Sequence, residues 1–321
     1  MRGILLVNTG SPLSDGRKDV RAFIEAMLCD PLMLSMPDKA RTLLVKGIIG
    51  PVRQFASSKH YSLIWDREHN ISPLLYHMQM LRDSLEEATS LPTAIAMRYL
   101  QPDIISAFEE LQQKHPRLHE VIVVPLFPQY AESSYQSVVD EVGRCFLKNY
   151  YPFRIKFTEP YFDHPAYIKA LAKSIIPYTE QEFDYLLFDF HSLPLAHVEK
   201  GWKKGREFDY VYQLKETIRL VRQELKLDQR KMRIVYSSAI GSKWLKPDLD
   251  DTLKNMAKDG IKKILAITPG FAVDNLETLY DITIKANEAF IANGGESLQF
   301  IPCLNSEPYW VDGLSQIISE L

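Results

Sequence analysis

The chain has 321 residues, 46% of them apolar and 25% charged, a balance that fills a sizeable core and excludes an intrinsically disordered protein. Its net charge of −3 offers no bulk attraction to phosphate backbones, which sets nucleic acid aside as a partner. A hydrophobic strand pattern starts almost at Met1 and no apolar run reaches membrane-spanning length, so a cytoplasmic protein without a secretory signal is the expectation.

Along the chain, short apolar runs alternate with helix-period segments, the pattern of repeated βαβ units. In the first half the predicted strands are 4–7, 94–97, 121–126 and 154–157. The turn after the first, Asn8-Thr9-Gly10-Ser11-Pro12, has neither Gly-x-Gly-x-x-Gly nor a Walker-type Gly-Lys-Ser, so no nucleotide phosphate cradle is expected there. Between the first two strands lies a long insertion, residues 19–91, rich in Met27, Leu28, Met33, Leu34, Leu43 and Ile48 and punctuated by Arg41, Lys46, Arg53 and Lys59. Two readings stay open for it: helices packed on the lobe, or an apolar lip with a cationic rim suited to a flat, greasy ligand carrying carboxylates.

The second half repeats the plan with predicted strands 185–190, 234–236, 264–268 and 298–301, divided from the first near 159–164. An α/β protein of two similar lobes follows, residues 1–160 and 161–321, each a four-stranded parallel sheet flanked by helices. The third strand of each set ends in a Pro-containing, Phe-bearing loop, Val124-Pro125-Leu126-Phe127-Pro128 and Ile267-Thr268-Pro269-Gly270-Phe271, a faint sign of duplication. Cys29, Cys145 and Cys303 are scattered, without the spacing of a zinc cage, a disulfide framework or an iron–sulfur cluster.

The chemistry is expected at two strand ends. Phe188-Asp189-Phe190-His191-Ser192-Leu193-Pro194 follows one predicted strand, and Pro269-Gly270-Phe271-Ala272-Val273-Asp274-Asn275-Leu276-Glu277-Thr278-Leu279-Tyr280-Asp281 follows another. Both side-chain sets should emerge on one carboxyl edge of a parallel sheet, where open α/β sheets bind ligands. Asp274, Glu277 and Asp281 sit three and four positions apart, which stacks them on one helical face opposite Leu276, Leu279 and Ala286. Asp274 with Glu277 equally fits a capping box, and a lone histidine after a strand often has only a structural role, so the two stretches gain meaning together.

Taken in order, the motifs resemble the ferrochelatase family. Leu5-Leu6-Val7-Asn8-Thr9-Gly10-Ser11-Pro12, Ser72-Pro73-Leu74, Met97-Arg98-Tyr99, Pro125-Leu126-Phe127-Pro128-Gln129-Tyr130 with Ser133-Ser134, Tyr236-Ser237-Ser238 leading to Gly241 and Trp244-Leu245-Lys246-Pro247, and Pro302-Cys303-Leu304-Asn305 are similar to its segments. The two strand-end stretches are similar to its His-Ser/Gly-x-Pro and Pro-Gly-Phe-x-x-Asp-x-x-Glu-Thr-Leu signatures. The resemblance implies two Rossmann-like lobes with a porphyrin cleft between them, and an enzyme that inserts Fe²⁺ into a free-base porphyrin, protoporphyrin IX first, to form haem with release of two protons. It implies His191 and Glu277 as the catalytic pair, facing the macrocycle from opposite walls, with Asp274 and Asp281 completing a metal-handling set. It implies substrate contacts from Arg53, Ser72, Arg98, Tyr99, Trp244 and Phe271. Porphyrin and Fe²⁺ are the implied partners, with no permanently bound cofactor and no iron–sulfur cluster, while oligomeric state and peripheral membrane contact stay open.

The residue types suit that task. Metal enters only when the two pyrrole protons leave, so a base is required, and neutral histidine, with a reference pKa of about 6.5, can be one. Carboxylates carry Fe²⁺ or relay protons without trapping the metal as thiolates would. The sequence also departs from the family: Asn70-Ile71 stand where two glycines are usual, Ala56 replaces a cation that Lys59 can supply, Asn275 replaces a histidine found in some relatives, and Asp281 replaces a Glu. A coproporphyrin or cobalt chelatase, and a porphyrin or haem carrier without turnover, are the alternatives.

Overall fold

The computed structural model describes residues 1–321. They form two compact units: Met1–Phe127 with Ala131–Glu159 and Ile318–Leu321, and Pro128–Tyr130 with Pro160–Ile317.

The first unit holds strands β1 (Arg2–Asn8), β2 (Thr93–Met97), β3 (Glu120–Pro125) and β4 (Arg154–Phe157), all parallel, in the order β2-β1-β3-β4. Strand β1 is central, and Ile4, Leu5, Leu6 and Val7 are sealed from solvent on both faces, which is why the sequence shows a continuous apolar run there rather than an alternation. Each such side chain contributes roughly 1.5–3 kcal/mol by burial. The insertion becomes four helices, α1 (Arg17–Leu28), α2 (Asp38–Leu44), α3 (Gly50–Ile64) and α4 (Pro73–Thr89), with a π-helical turn, Val45–Ile49, joining α2 to α3. That insertion divides its apolar side chains: Val45 and Tyr61 are buried, while Leu43, Ile48, Val52 and Phe55 face water, so it is neither plain core nor wholly an open lip.

Two turns in this unit have a backbone reason. Gly10 has φ of 113°, and a Cβ there would meet the Tyr99 carbonyl oxygen at 2.4 Å, so only glycine lets the β1 turn pass the β2 end. Asn70, in place of a family glycine, takes φ of 53°, a left-handed conformation asparagine tolerates, so the loop before Ser72 keeps a glycine-like backbone.

The second unit repeats the order with β5 (Tyr185–His191), β6 (Met232–Ser237), β7 (Lys263–Ile267) and β8 (Ser297–Phe300), as β6-β5-β7-β8. Around them pack α7 (Pro165–Thr179), α8 (Leu195–Trp202), α9 (Tyr210–Leu225), α10 (Leu249–Lys258), α11 (Asn287–Ala292) and α12 (Pro308–Ser319), with α5 (Ile104–Lys114) and α6 (Ser137–Asn149) belonging to the first unit. The direction of strand addition reverses between β5 and β7, which makes the carboxyl ends of these two strands the switch point where such sheets bind ligands. No helix is long and apolar enough to cross a membrane.

Candidate active site

His191 is the last residue of β5, and Glu277 opens a ten-residue π-helix, Glu277–Ala286, that follows β7. His191 Nε2 lies 3.8 Å from Glu277 Oε2, with each side chain about one-third exposed. His191 Nδ1 is 2.6 Å from the Ser192 carbonyl oxygen, and since a carbonyl only accepts, Nδ1 carries the proton. When the ring is neutral, that tautomer leaves the lone pair on Nε2, the nitrogen facing Glu277. Glu277 Oε2 is buried with no hydrogen-bond partner in the protein.

The expectation that the two groups face a macrocycle from opposite walls does not hold. A ring between them would need van der Waals contact of about 3.5 Å on each face, whereas they stand 3.8 Å apart in one unit. They stand side by side in the same unit.

The start of the π-helix also differs from the sequence reading. Asp274 is not on its carboxylate face. It is 3% exposed, and its two oxygens accept hydrogen bonds from Thr278 Oγ1 (2.9 Å), the Cys303 amide (3.2 Å) and Asn305 Nδ2 (2.7 Å). Its role is to tie the β7 loop to the Cys303–Asn305 segment. Nor do Asp274 and Glu277 form a capping box: Asn275 Oδ1 accepts from the Glu277 amide at 2.9 Å and Thr278 Oγ1 accepts from the Asn275 amide at 3.0 Å, so the asparagine that replaces a family histidine has become the cap. The expected four-member metal set is thus not assembled, and no group of three His, Cys, Asp or Glu residues could hold a metal ion together. What remains is the His191–Glu277 pair with Asp281 four positions along.

Asp281 is an unusually basic carboxylate. Burial and the neighbouring Glu277 charge push it up to about 6, against the opposing pull of Lys285. Lys285 itself donates to Asp250 Oδ2 at 2.8 Å. Asp281, Lys285, Asp248, Asp250, Ser237 and Ser238 line a polar cavity of about 120 Å³, room for several waters.

One residue was quoted in the sequence but given no role. Asp189, two positions before His191, is 1% exposed, and its Oδ1 has no partner. Burial, only partly offset by hydrogen bonds from Ser237 and reinforced by Glu277 and Asp281, raises its pKa far above the usual carboxylate range. The signal was available: an acid inside a strand otherwise made of Tyr, Leu and Phe. Tyr210 was missed as well, and its hydroxyl donates to the His191 carbonyl oxygen at 3.0 Å.

Of the expected substrate contacts, Trp244 is tied to the loop that follows His191. It pairs with Pro194 in an antiparallel bridge, and the Leu245 amide donates to the Leu193 carbonyl oxygen at 3.0 Å. Phe271 instead packs against the apolar core of the second unit. In the first unit Arg53 is exposed on α3. Ser72 is buried as the cap of α4, its hydroxyl 2.5 Å from that of Ser11. Arg98 and Tyr99 are not free to grip a carboxylate: Arg98 Nη2 and the Tyr99 hydroxyl donate to Asp30 Oδ2 at 2.8 and 2.7 Å, and Arg98 Nε donates to Ser137. Burial acts to raise the Asp30 pKa, but hydrogen bonds from Ser137, Tyr99 and Leu32 and the Arg98 charge outweigh it and hold the carboxyl ionised.

The structure is similar to that of SirB from Bacillus subtilis, solved with Fe³⁺, with a TM-score of 0.59 over 99% of this chain and 94% of that one at 13% identity. It is also similar to DR2241 from Deinococcus radiodurans, a multi-domain protein described as structurally similar to chelatases, with a TM-score of 0.52 over 100% of this chain and 55% of that one at 12% identity. The fold is that of the chelatases. Sequence likeness narrows this further. The ferrochelatase family profile matches residues 1–321. Ferrochelatases of Pseudomonas putida (33% identical, 98% of this chain and 97% of theirs), Porphyromonas gingivalis (32%, 99% and 95%) and Vibrio vulnificus (33%, 99% and 98%) are alike along their whole length. The chain belongs to the ferrochelatase family, and it is an enzyme that inserts Fe²⁺ into a porphyrin to make haem.

Proposed function

We propose that His191 and Glu277 carry this reaction as a base and its counter-charge, that protoporphyrin IX is the porphyrin, and that the enzyme works in the cytoplasm. The observation that carries the reading is the His191 tautomer: with Nδ1–H committed to the Ser192 carbonyl, the Nε2 lone pair is free beside an ionisable carboxyl that has no other partner. His191 Nε2 takes a pyrrole proton, and the imidazolium so formed is stabilised by Glu277 at 3.8 Å. The imidazolium then gives that proton to Glu277, which restores the neutral base, and Glu277 passes it to Asp281, whose pKa of about 6 lets it take up and give back a proton near neutrality, and on to water in the polar cavity. Repeating this for the second pyrrole N–H balances the charge of the entering Fe²⁺, which is a substrate and leaves in the product. Glu277 Oε2, a hard oxygen donor, can also hold Fe²⁺ in transit.

Two exposed cations on α3, Arg53 and Lys59, support a ring with two propionates, since Arg98 is spent on Asp30. Metallation of protoporphyrin IX and of coproporphyrin, with Fe²⁺ or Zn²⁺ and followed by visible absorption, tests the choice. Protoporphyrin should have a kcat/KM at least about tenfold higher, and the reverse order would overturn the assignment.

A further inference from the structure

The groove between α9 and the open edge of β6 gathers cations, most of which nothing in the chain neutralises. Lys215, Arg219 and Arg222 are four and three positions apart on one stripe of α9, and Arg233 joins them from β6. Together they line a cavity of about 360 Å³ to which no carboxylate contributes. Only Arg219 is compensated, by Glu216 one turn back, through hydrogen bonds of 2.8 and 2.5 Å. Lys215 has no partner, and Arg222 donates to the neutral Gln229 side chain. The Arg233 guanidinium stands over the Tyr185 ring, 5.1 Å from its centre, which supports a cation without cancelling its charge. Residues 213–234 hold seven Lys and Arg against three acids, in a chain whose net charge is −3. Like charges crowded onto one hollow repel unless an anion joins them.

The strand edge adds a donor. β6 is outermost in its sheet, and the Tyr236 amide turns away from β5 to donate to the Pro247 carbonyl oxygen at 2.9 Å. Backbone groups alternate in direction along a strand, so those of Ile234 and Met232 point to the same open edge. The Met232 N–H is taken by the Gln229 carbonyl oxygen of the turn Gln229–Lys231, which leaves the Ile234 N–H as the free donor beside the cavity. A single amide is too few for a peptide to add as a further strand, because that mode uses a row of main-chain bonds. It suits a small anion. Ile218, Met232 and Ile234 complete the lining with apolar surface.

We propose that this groove binds a nucleoside di- or triphosphate. The phosphate chain joins Lys215, Arg222, Arg233 and the Ile234 amide, and the nucleoside rests on Ile218, Met232 and Ile234. Guanidinium groups hold phosphate oxygens through paired N–H donors, so no glycine loop is needed. The cavity is of small-ligand size. It lies at the amino end of β6, whereas His191 closes the carboxyl end of β5, and the two strands are parallel. Binding here is therefore independent of the roles given to His191 and Glu277, and it is read without turnover.

The test is calorimetric titration of ATP into the full chain, without porphyrin or divalent cations. At about 50 mM salt ATP should bind saturably, and about 500 mM salt should weaken it at least about tenfold. AMP should bind at least about tenfold more weakly than ATP, because it lacks the phosphate chain. Inorganic triphosphate should bind at least about fivefold more weakly, having no body for the apolar wall. Hydrogen exchange should slow in peptides covering 232–235 when ATP is added. Arg222→Ala with Arg233→Ala should weaken ATP at least about thirtyfold, and Lys215→Glu, at an exposed position, at least about fivefold. Lys254→Glu with Lys258→Glu, exposed cations of α10, should stay within about twofold of the parent. All these variants should keep the parent circular dichroism spectrum and metallation rate. Absence of saturable ATP binding overturns the proposal, as does parent-like affinity in Lys215→Glu or in the double arginine variant. So do an equal loss in the α10 variant, triphosphate binding as tight as that of ATP, and protection confined to other segments.

Discussion

Asp189 and His191 lie on the same face of β5, two residues apart, with the acid sealed beneath the exposed imidazole. An acid whose pKa is raised by folding stays protonated in the native state over a range where the unfolded chain has lost its proton, so it takes stability away as pH rises above its ordinary range. Asp189→Asn removes that loss. The variant should unfold at a higher temperature than the parent at about pH 8 and no higher at about pH 3, where both states of the parent are largely protonated. A uniform destabilisation across this range would contradict a neutral, buried Asp189.

His191→Ala and Glu277→Gln should each reduce metallation by at least about 100-fold, the lower end of what a positioned acid or base contributes. Porphyrin binding, followed by fluorescence quenching, should survive in both, because neither side chain is asked to hold the ring. Parent-like turnover in either variant would mean that the pair is misassigned.

For Asp281 the pH window can be placed. Its folded pKa of about 6 lies above the ordinary 3.8, so the native state binds more protons between these values and stability falls as pH climbs through them. The loss is at most about 3 kcal/mol. Asp281→Asn should flatten the stability profile between about pH 4 and pH 7 while lowering kcat, because the relay to the polar cavity is cut. A stability profile unchanged from the parent would place the carboxyl back in the ordinary range.

Asp274→Ala separates a structural carboxylate from a metal ligand. Three donors, on Thr278, Cys303 and Asn305, lose their acceptor, which should cost about 3 kcal/mol in chemical denaturation. Activity per folded molecule at saturating Fe²⁺ and the apparent KM for Fe²⁺ should stay within about twofold of the parent. A much larger KM would restore Asp274 to the metal path.

The two arginines of the first unit should behave oppositely. Arg98→Ala strands the buried Asp30 carboxylate and should destabilise by about 3 kcal/mol, with little change in the porphyrin Kd of the folded protein. Arg53→Ala, on an exposed helix position, should leave stability within about 0.5 kcal/mol and weaken porphyrin binding by about tenfold. Titrating porphyrin into each variant, after checking its unfolding midpoint, distinguishes the two.

Much of the architecture could be read before any coordinates. Strands such as β1 and β5 are apolar runs because central parallel strands are covered on both faces, and that burial writes itself into composition, while the edge strands β4 and β8 alternate. His191 closes β5, where a buried run ends, whereas Glu277 lies ten residues beyond the end of β7 and was singled out through the stretch that is similar to a family signature. Orientation was not legible. Sequence spacing placed Asp274 on a helix face, but nothing in the spacing reveals that Thr278, Asn305 and the Cys303 amide, the last two from a distant segment, turn it inward. Arg98 likewise looked available because Asp30, 68 positions away, meets it only in the folded chain, where Ser137 of α6 donates to the same carboxyl oxygen. Nor does the helical pattern distinguish i→i+4 from i→i+5 winding over a single segment, so the π-helix at Glu277 went unseen.

The atom that fixes the His191 tautomer belongs to the peptide backbone, at Ser192, rather than to a carboxylate side chain. No substitution at position 192 other than one that reroutes the chain can delete it, because every amino acid brings the same oxygen. The arming of the base is therefore inherited with the path of the polypeptide, and genetic drift at the neighbouring side chain leaves it in place.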